Sequence, residues 1–553
     1  MRSLISRTFI AWGVELNWRI FLLVLLILFL SVSASSQTSP SKVWVADNRD
    51  GTYRNPILHA DYSDPDVVRV GDDFYLVASS FNAAPGLPIL HSKDLVNWTI
   101  IGHALSRQPP FEVFNMPQHG NGAWAPAIRF HNGEFYIFYP DPAYGIYVVK
   151  AKNPAGPWSE PLLVKSAKGW IDPCPLWDDD GKAYLVNAFA KSRAGIKSIL
   201  VVSRMSDDGT RLLDDGVMVF DGRDKDPTVE GPKFYKRNGF YYIFAPAGGV
   251  ESGWQLALRS KDVYGPYERK TILAQGKTRI NGPHQGAWID TASGESWFIH
   301  FQDKGAYGRV VHLQPMKWIN DWPIIGIDPD GDGTGEPVTS YRKPNVGRTY
   351  PVTTPPDSDE FNGNRLGLQW QWQANPQSNW AFSSSAYGLL RLFNVPLPPD
   401  FKNFWDVPNL LLQKVPAPSF TVTTKATFAP RNDDEKAGVI VMGMDYAYIS
   451  VKKRPDGLHV SQTICKDAHK QSVEKETASS KLTGNSFYLR VRVEENAVCN
   501  FTYSTDGRTF IPIGESFKAR QGRWIGAKVG IFAVGNGAVS EMGYADFDWF
   551  RVE

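Results

Sequence analysis

Three things are scarce in this chain. Cysteine occurs three times in 553 residues, at Cys174, Cys465 and Cys499, without metal-ligand spacing. That excludes a disulfide-built scaffold and leaves one conceivable bridge, Cys465 to Cys499. A charge of one sign is also missing, because 59 lysines and arginines face 57 aspartates and glutamates. No net field then favours nucleic acid or an anionic membrane surface. Long apolar runs are limited to one, Ile20 to Ala34, whose 15 residues fall short of the roughly 20 that span a bilayer. It follows Arg2, Arg7 and Arg19 and precedes the small residues Ser35, Ser36 and Gln37, the pattern of a secretory signal over residues 1–36. The expectation is an exported protein, periplasmic or extracellular, with an uncleaved N-terminal anchor as the alternative. No cysteine follows the run, which argues against a lipid anchor.

What the chain has in quantity is aromatic residues (19 Trp, 22 Tyr, 31 Phe) and turn formers (48 Gly, 39 Pro). Such a mix suits a β-rich protein whose ligands stack on aromatic faces, as sugars do. One unit recurs five times: a glycine turn followed by an aromatic strand, at Gly71, Gly133, Gly181, Gly239 and Gly294, with spacings of 48 to 62 residues. That is the size of a four-stranded propeller blade. The sequence therefore predicts an all-β chain: a five-bladed propeller over 37–347, a proline-rich linker over 348–358, and a β-sandwich of the concanavalin or jelly-roll kind over 359–553. The final segment, GYADFDWFRVE, is expected to pair with the first strand of the sandwich.

A second regularity lies just upstream of those glycines. Asp64, Ala125, Asp172, Glu230 and His284 precede them by 7 to 10 residues. If the strand before each turn is the innermost of its blade, three acids and a histidine converge on one mouth of the central channel. Acids beside proline or glycine ordinarily cap turns. Three at equivalent blade positions read instead as a cluster able to protonate a leaving oxygen and activate a nucleophile, the requirement for cleaving a glycosidic bond.

The segments NPILHADYSDPDVVRVGDDFYLVASSF, GAWAPAIRFHNGEFYIFY, WIDPCPLWDDDGKAYLV, TVEGPKFYKRNGFYYIFAPAGG and GRVVHLQP resemble glycoside hydrolase family 43. DEFNGNRLGLQWQWQANP resembles the C-terminal sandwich of its β-xylosidase branch. The resemblance implies an exo-acting, inverting glycosidase that hydrolyses O-glycosyl bonds of xylosides or α-L-arabinofuranosides. It assigns Asp64 as general base, Glu230 as general acid and Asp172 as the group that raises and orients that acid. A substrate from hemicellulose, a xylo- or arabino-oligosaccharide, is the implied partner. No cofactor is required for the chemistry. A non-catalytic sugar-binding propeller is the remote alternative, and it would require loss of an acid that is present here.

Four further residues are candidates for substrate binding. Arg309 matches a family position that contacts sugar hydroxyls, and its alternative is a salt-bridged strand arginine. His284 is a channel-lining group, a water or calcium ligand, or a satisfied core histidine. Phe81 and Trp124 are expected pocket walls, with ordinary core packing as the other reading. The aromatic loop from Asp400 to Pro408 could reach across to the pocket. Asp359, Asp546 and Asp548 would form a structural calcium site if the terminal strands of the sandwich pair. DPDGDGTGE, from Asp328 to Glu336, lacks the twelfth-position glutamate of a calcium-binding hand and reads as a surface turn.

Overall fold

The computed structural model describes residues 39–536 and 541–553. The expected signal segment, residues 1–36, lies outside the described residues. Within Pro40–Glu553, which form one compact unit, strands dominate and helical turns are short.

Five antiparallel four-stranded sheets follow one another in chain order and make a five-bladed propeller. Their first strands are Asp66–Val70, Ala127–His131, Trp170–Trp177, Lys233–Arg237 and His284–Asp290, and the last strand of the fifth sheet is Trp322–Ile325. Each repeated glycine sits in the hairpin between the first and second strand of its blade. All five adopt positive φ, from 62° at Gly71 to 86° at Gly294, a left-handed geometry that costs glycine little. The periodic glycines are thus the turns that start each blade.

Second strands are buried on both faces because each blade packs against two neighbours. In Glu134–Asp141 every residue after the first is buried, which accounts for runs such as FYIFYP in place of simple alternation. The ring closes between blades I and V, where Val67, Leu76, Ile289, Ile299 and Val311 share one core. A short N-terminal strand, Thr52–Arg54, pairs with Ser340–Arg342. Asn55 Nδ2 donates to Leu313 O and Val338 O at 2.8 Å each. The N-terminal arm is therefore stapled to the last blade.

The sandwich consists of two sheets of eight strands. The terminal strand, Tyr544–Val552, lies inside one sheet between Leu389–Phe393 and Phe420–Ala429. It meets the beginning of the domain through an isolated Asp359–Phe550 bridge, a Val552 N–H bond to Ser358 Oγ at 2.9 Å and an Arg551–Glu360 ion pair at 2.7 Å. Ala545, Phe547, Phe550 and Val552 face the core, and with both sides of the strand already paired the expected pairing with the start of the domain is confined to that short contact. The three cysteines are buried and free.

The sandwich docks on the propeller through backbone and side-chain hydrogen bonds. Ala84 and Trp372 exchange two hydrogen bonds, at 3.1 and 2.6 Å, and Asn375 N–H donates to Phe114 O at 2.7 Å. Tyr307 OH donates to Pro418 O at 2.9 Å and accepts from Ala497 N–H at 2.8 Å. Such contacts fix both position and rotation of the sandwich against the propeller face that carries the acids.

Candidate active site

Asp64 and Asp172 occupy corresponding places in blades I and III, and both are followed by proline. Both also have left-handed backbones, with φ of 54° and 55°, a conformation that a non-glycine residue keeps only when its surroundings enforce it. At Asp172 the strand pairing skips between Ile171 and Cys174, so the acid stands on a β-bulge. A second bulge in blade V, between His284 and Gly286, carries Gln285 at φ 35°. Bulges of this kind re-aim a side chain out of the pleat, here toward the channel.

The carboxylate of Asp64 is held on both oxygens. Oδ2 accepts from Ser79 Oγ at 2.6 Å and Ser63 Oγ at 3.1 Å, and Oδ1 accepts from Arg309 Nη1 at 2.9 Å. The same guanidinium donates to Ser63 Oγ at 2.8 Å and lies over the Phe301 ring at 4.8 Å. Asp172 accepts from Gly231 N–H at 2.7 Å, which ties it to the residue after Glu230. Glu230 N–H in turn donates to Pro246 O at 3.1 Å, and Oε1 lies 3.5 Å from His284 Nε2. The structure therefore brings Asp64, Asp172, Glu230, His284 and Arg309 to one mouth of the channel.

Burial and mutual repulsion set the protonation of the cluster. Burial raises Glu230 most, followed by the negative charges of Asp172 and Asp64, and together they hold it at about 8 against the opposing charge of Arg309. The expectation from sequence placed the Asp172 charge first; desolvation comes before it. Asp172 is raised as well, by burial first and by Asp64, although the Gly231 hydrogen bond works against this. Two carboxyls in a buried pocket resist simultaneous ionisation, so a proton is retained near neutrality. Burial, then Arg309, lowers His284 to about 3. It is a neutral imidazole beside Glu230 and, among the described residues, has no hydrogen-bond partner on either ring nitrogen.

Phe81 and Trp124, the expected pocket walls, meet at a ring separation of 6.1 Å. The sandwich adds a residue that the sequence reading did not single out: Trp524, 52% exposed, stands edge-on to Trp124 at 6.4 Å. Nothing in RQGRWIGAK marks it, because its role depends on how the two domains meet. The expected aromatic loop behaves differently. Trp405 is buried and stacks on His119 at 3.6 Å, and His119 Nε2 bonds Trp405 O at 2.6 Å. The loop packs against His119, at the start of the turn that leads to Trp124.

Asp61 is a second residue missed from sequence. Buried three positions before Asp64, it accepts from Arg309 N–H through Oδ1 and from Gly526 N–H through Oδ2, both at 2.9 Å. One carboxylate thereby connects the arginine on Asp64 with the sandwich loop that carries Trp524. Asp66, Arg129, Lys233 and Cys174 form a buried network between blades: Arg129 donates to Asp66 Oδ2 at 2.7 Å and to Cys174 Sγ at 2.9 Å, and Lys233 to Pro126 O at 2.8 Å.

The proposed calcium ligands of the sandwich are not brought together. Asp546 is held bidentately by Arg391, at 2.7 and 2.8 Å, and Asp548 by Lys425. Asp359 accepts from Phe361 N–H, Gly367 N–H and Trp370 Nε1. Adjacent strands supply a cation to each of the first two acids, and a turn supplies donors to the third. Among the described residues no group of three metal-binding side chains forms. The Asp328 loop is a surface turn, with that carboxylate accepting from Gly331 N–H and Gly333 N–H.

Comparison with known proteins agrees with this architecture. Residues 53–323 match the family model for glycosyl hydrolases family 43, and residues 358–553 match that for the β-xylosidase C-terminal concanavalin A-like domain. A Xylanibacter ruminicola protein provisionally named a β-xylosidase is 40% identical over 504 residues, covering 89% of this chain and 88% of its own. A non-reducing end α-L-arabinofuranosidase of Bacteroides ovatus is 29% identical, covering 90% and 94%. The crystal structure of a xylan β-1,4-xylosidase from Bacillus halodurans superposes with a TM-score of 0.80 at 25% identity, covering 90% and 99%.

Proposed function

The chain belongs to glycosyl hydrolase family 43 and is a glycosidase, and from that premise we propose that it releases xylose from the non-reducing end of hemicellulose oligosaccharides with inversion at the anomeric carbon. The observation that carries the proposal is the set of three acids, Asp64, Asp172 and Glu230, delivered by three blades to one mouth with Glu230 raised to about 8. In this reading Asp64 takes a proton from water as it attacks the anomeric carbon. Ser79, Ser63 and Arg309 aim its carboxylate. Glu230, kept protonated by burial and by Asp172, gives its proton to the departing oxygen. Arg309 and His284 meet the sugar hydroxyls, and Phe81 and Trp124 receive its apolar face.

Xylosides are favoured by the relative at 40% identity. An α-L-arabinofuranoside is the second reading, supported by the relative of that name. The decisive experiment incubates the protein with nitrophenyl β-xyloside and nitrophenyl α-L-arabinofuranoside and follows the first anomer released by NMR. The α-anomer of xylose is expected. Release of the β-anomer would exclude an inverting role for Asp64, and activity on the arabinofuranoside alone would select the second reading. We also propose export from the cytoplasm, to the periplasm or the extracellular space, which fractionation of the expressed full chain tests; cytoplasmic retention would refute it.

A further inference from the structure

We propose that the pocket mouth carries a cationic subsite for an anionic substituent on the leaving side of the substrate: the carboxylate of a uronic acid borne by the sugar next to the one released. The inference rests on the glycosidase reading above. Its basis is the segment between the second and third strands of blade III, KSRAGIK, residues 191–197, which holds Lys191, Arg193 and Lys197 and no acid. The segment begins as a single helical turn, Lys191–Ala194, and spans the rim between the aromatic wall and Glu230.

Arg193 Nη2 donates to Asn121 Oδ1 at 2.8 Å. Asn121 follows Gly120, whose carbonyl holds Trp124 Nε1 at 3.1 Å. Against that same glycine the sandwich places Arg523 and Trp524, whose Cγ and Cδ1 would lie 2.8 and 3.1 Å from a β-carbon there. Arg193 and Arg523 thus flank one turn beside the Trp124–Trp524 pair. At the other end of the segment Lys197 Nζ donates to Thr228 Oγ1 at 3.0 Å, two residues before Glu230. Its charge is one of those that oppose the upward shift of Glu230.

Among the described residues, none of Arg193, Lys197 and Arg523 has a carboxylate within ion-pair distance. About half of the other described basic groups have an acid within that distance, as Arg391 does in Asp546 and Arg551 in Glu360, but here three that lack one gather on a single rim. The acid that does feel Arg193 is Asp141, and it is completely buried. Burial drives it up to about 7 against the arginine, and its Oδ2 has no partner among the described residues. A neutral sugar needs no such excess of cations. A planar carboxylate matches the arginine fork, and lysine adds a point charge. Lys197 gives the side of the bond: held on Thr228 two residues before Glu230, it brings the segment to the acid beside which the departing sugar would lie if Glu230 protonates its oxygen.

The test uses xylotriose and the same trisaccharide carrying a glucuronosyl group on its middle sugar, titrated calorimetrically into Glu230→Gln. At low ionic strength the acidic ligand should bind about three- to tenfold more tightly than the neutral one, the range expected of two or three exposed ion pairs. The ratio should fall to about one in 1 M salt, where screening acts over roughly 3 Å, and equally in a variant that also carries Arg193→Gln, Lys197→Gln and Arg523→Gln. Equal affinities at low salt, or a preference that survives salt or the triple substitution, would overturn the inference. The salt series needs no rim variant, so poor folding of the triple variant leaves the test intact. Hydrolysis of xylotriose by the unaltered chain reports separately on the glycosidase reading.

Discussion

Replacing Asp61 by asparagine changes one buried atom pair at a point that the proposed chemistry does not use. Asp61 accepts two backbone N–H groups, Arg309 from blade V and Gly526 from the sandwich, each at 2.9 Å. Hydrogen bonds to a charged group contribute about 1.5–3 kcal/mol each. An asparagine amide can accept only one of them, and its NH2 then faces the other N–H. The expected loss of apparent stability in urea unfolding is therefore about 2–3 kcal/mol. Alanine, which accepts neither, should lose roughly twice that. The catalytic consequence follows from what is tethered. Arg309 binds Asp64, and Gly526 lies two residues after Trp524, so a slackened tether misplaces both the base and a pocket wall. Misplacement of about 1 Å can cost a hundredfold, and kcat/KM on nitrophenyl β-xyloside should fall at least about tenfold. An Asp61→Asn protein within about 0.5 kcal/mol and twofold of the parent would refute the tether.

Glu230→Gln should lower kcat on xylobiose by about 10²–10⁴ while sparing much more activity on a dinitrophenyl xyloside, whose leaving group needs little protonation; equal losses would remove Glu230 from the acid role. In the parent enzyme kcat/KM should fall as pH rises through about 8, where Glu230 gives up its proton, and an alkaline limb beginning several units away would contradict that assignment. Lys528 offers a test on stability. Burial first, and then repulsion from Lys414, lower it to about 7. Above that pH the folded chain releases a proton that the unfolded chain keeps until about 10.4, so this group adds stability as pH rises from 7 to 10, at about 1.4 kcal/mol per unit. Lys528→Met should remove that rise and stabilise the protein at pH 6; an unchanged pH profile of urea unfolding would count against a buried lysine of depressed pKa.

The propeller was legible because its glycines are turns with positive φ and recur with the blade length, and because the three acids share a place in that repeat. Trp524 was not legible, since WIG in a strand-rich domain has no local signature. Asp61 looked like one more acid in HADYSDPD until Gly526 was brought against it. The partners of Asp546 and Asp548 were hidden for a related reason: strand pairing sets Arg391 beside Asp546 and Lys425 beside Asp548. Cross-strand partners cannot be counted from one strand alone.

Local chemistry written along the chain determined where each blade begins, which strands are buried and which acids share one mouth, because turn geometry and hydrophobic pattern act over a few residues. Only the tertiary structure decided the electrostatics and the shape of that mouth. Burial, more than the Asp172 charge, holds the proton on Glu230. The second aromatic wall and the rim cation Arg523 come from a domain about 300 residues further along the chain, and they reach the site through one carboxylate and a few backbone hydrogen bonds.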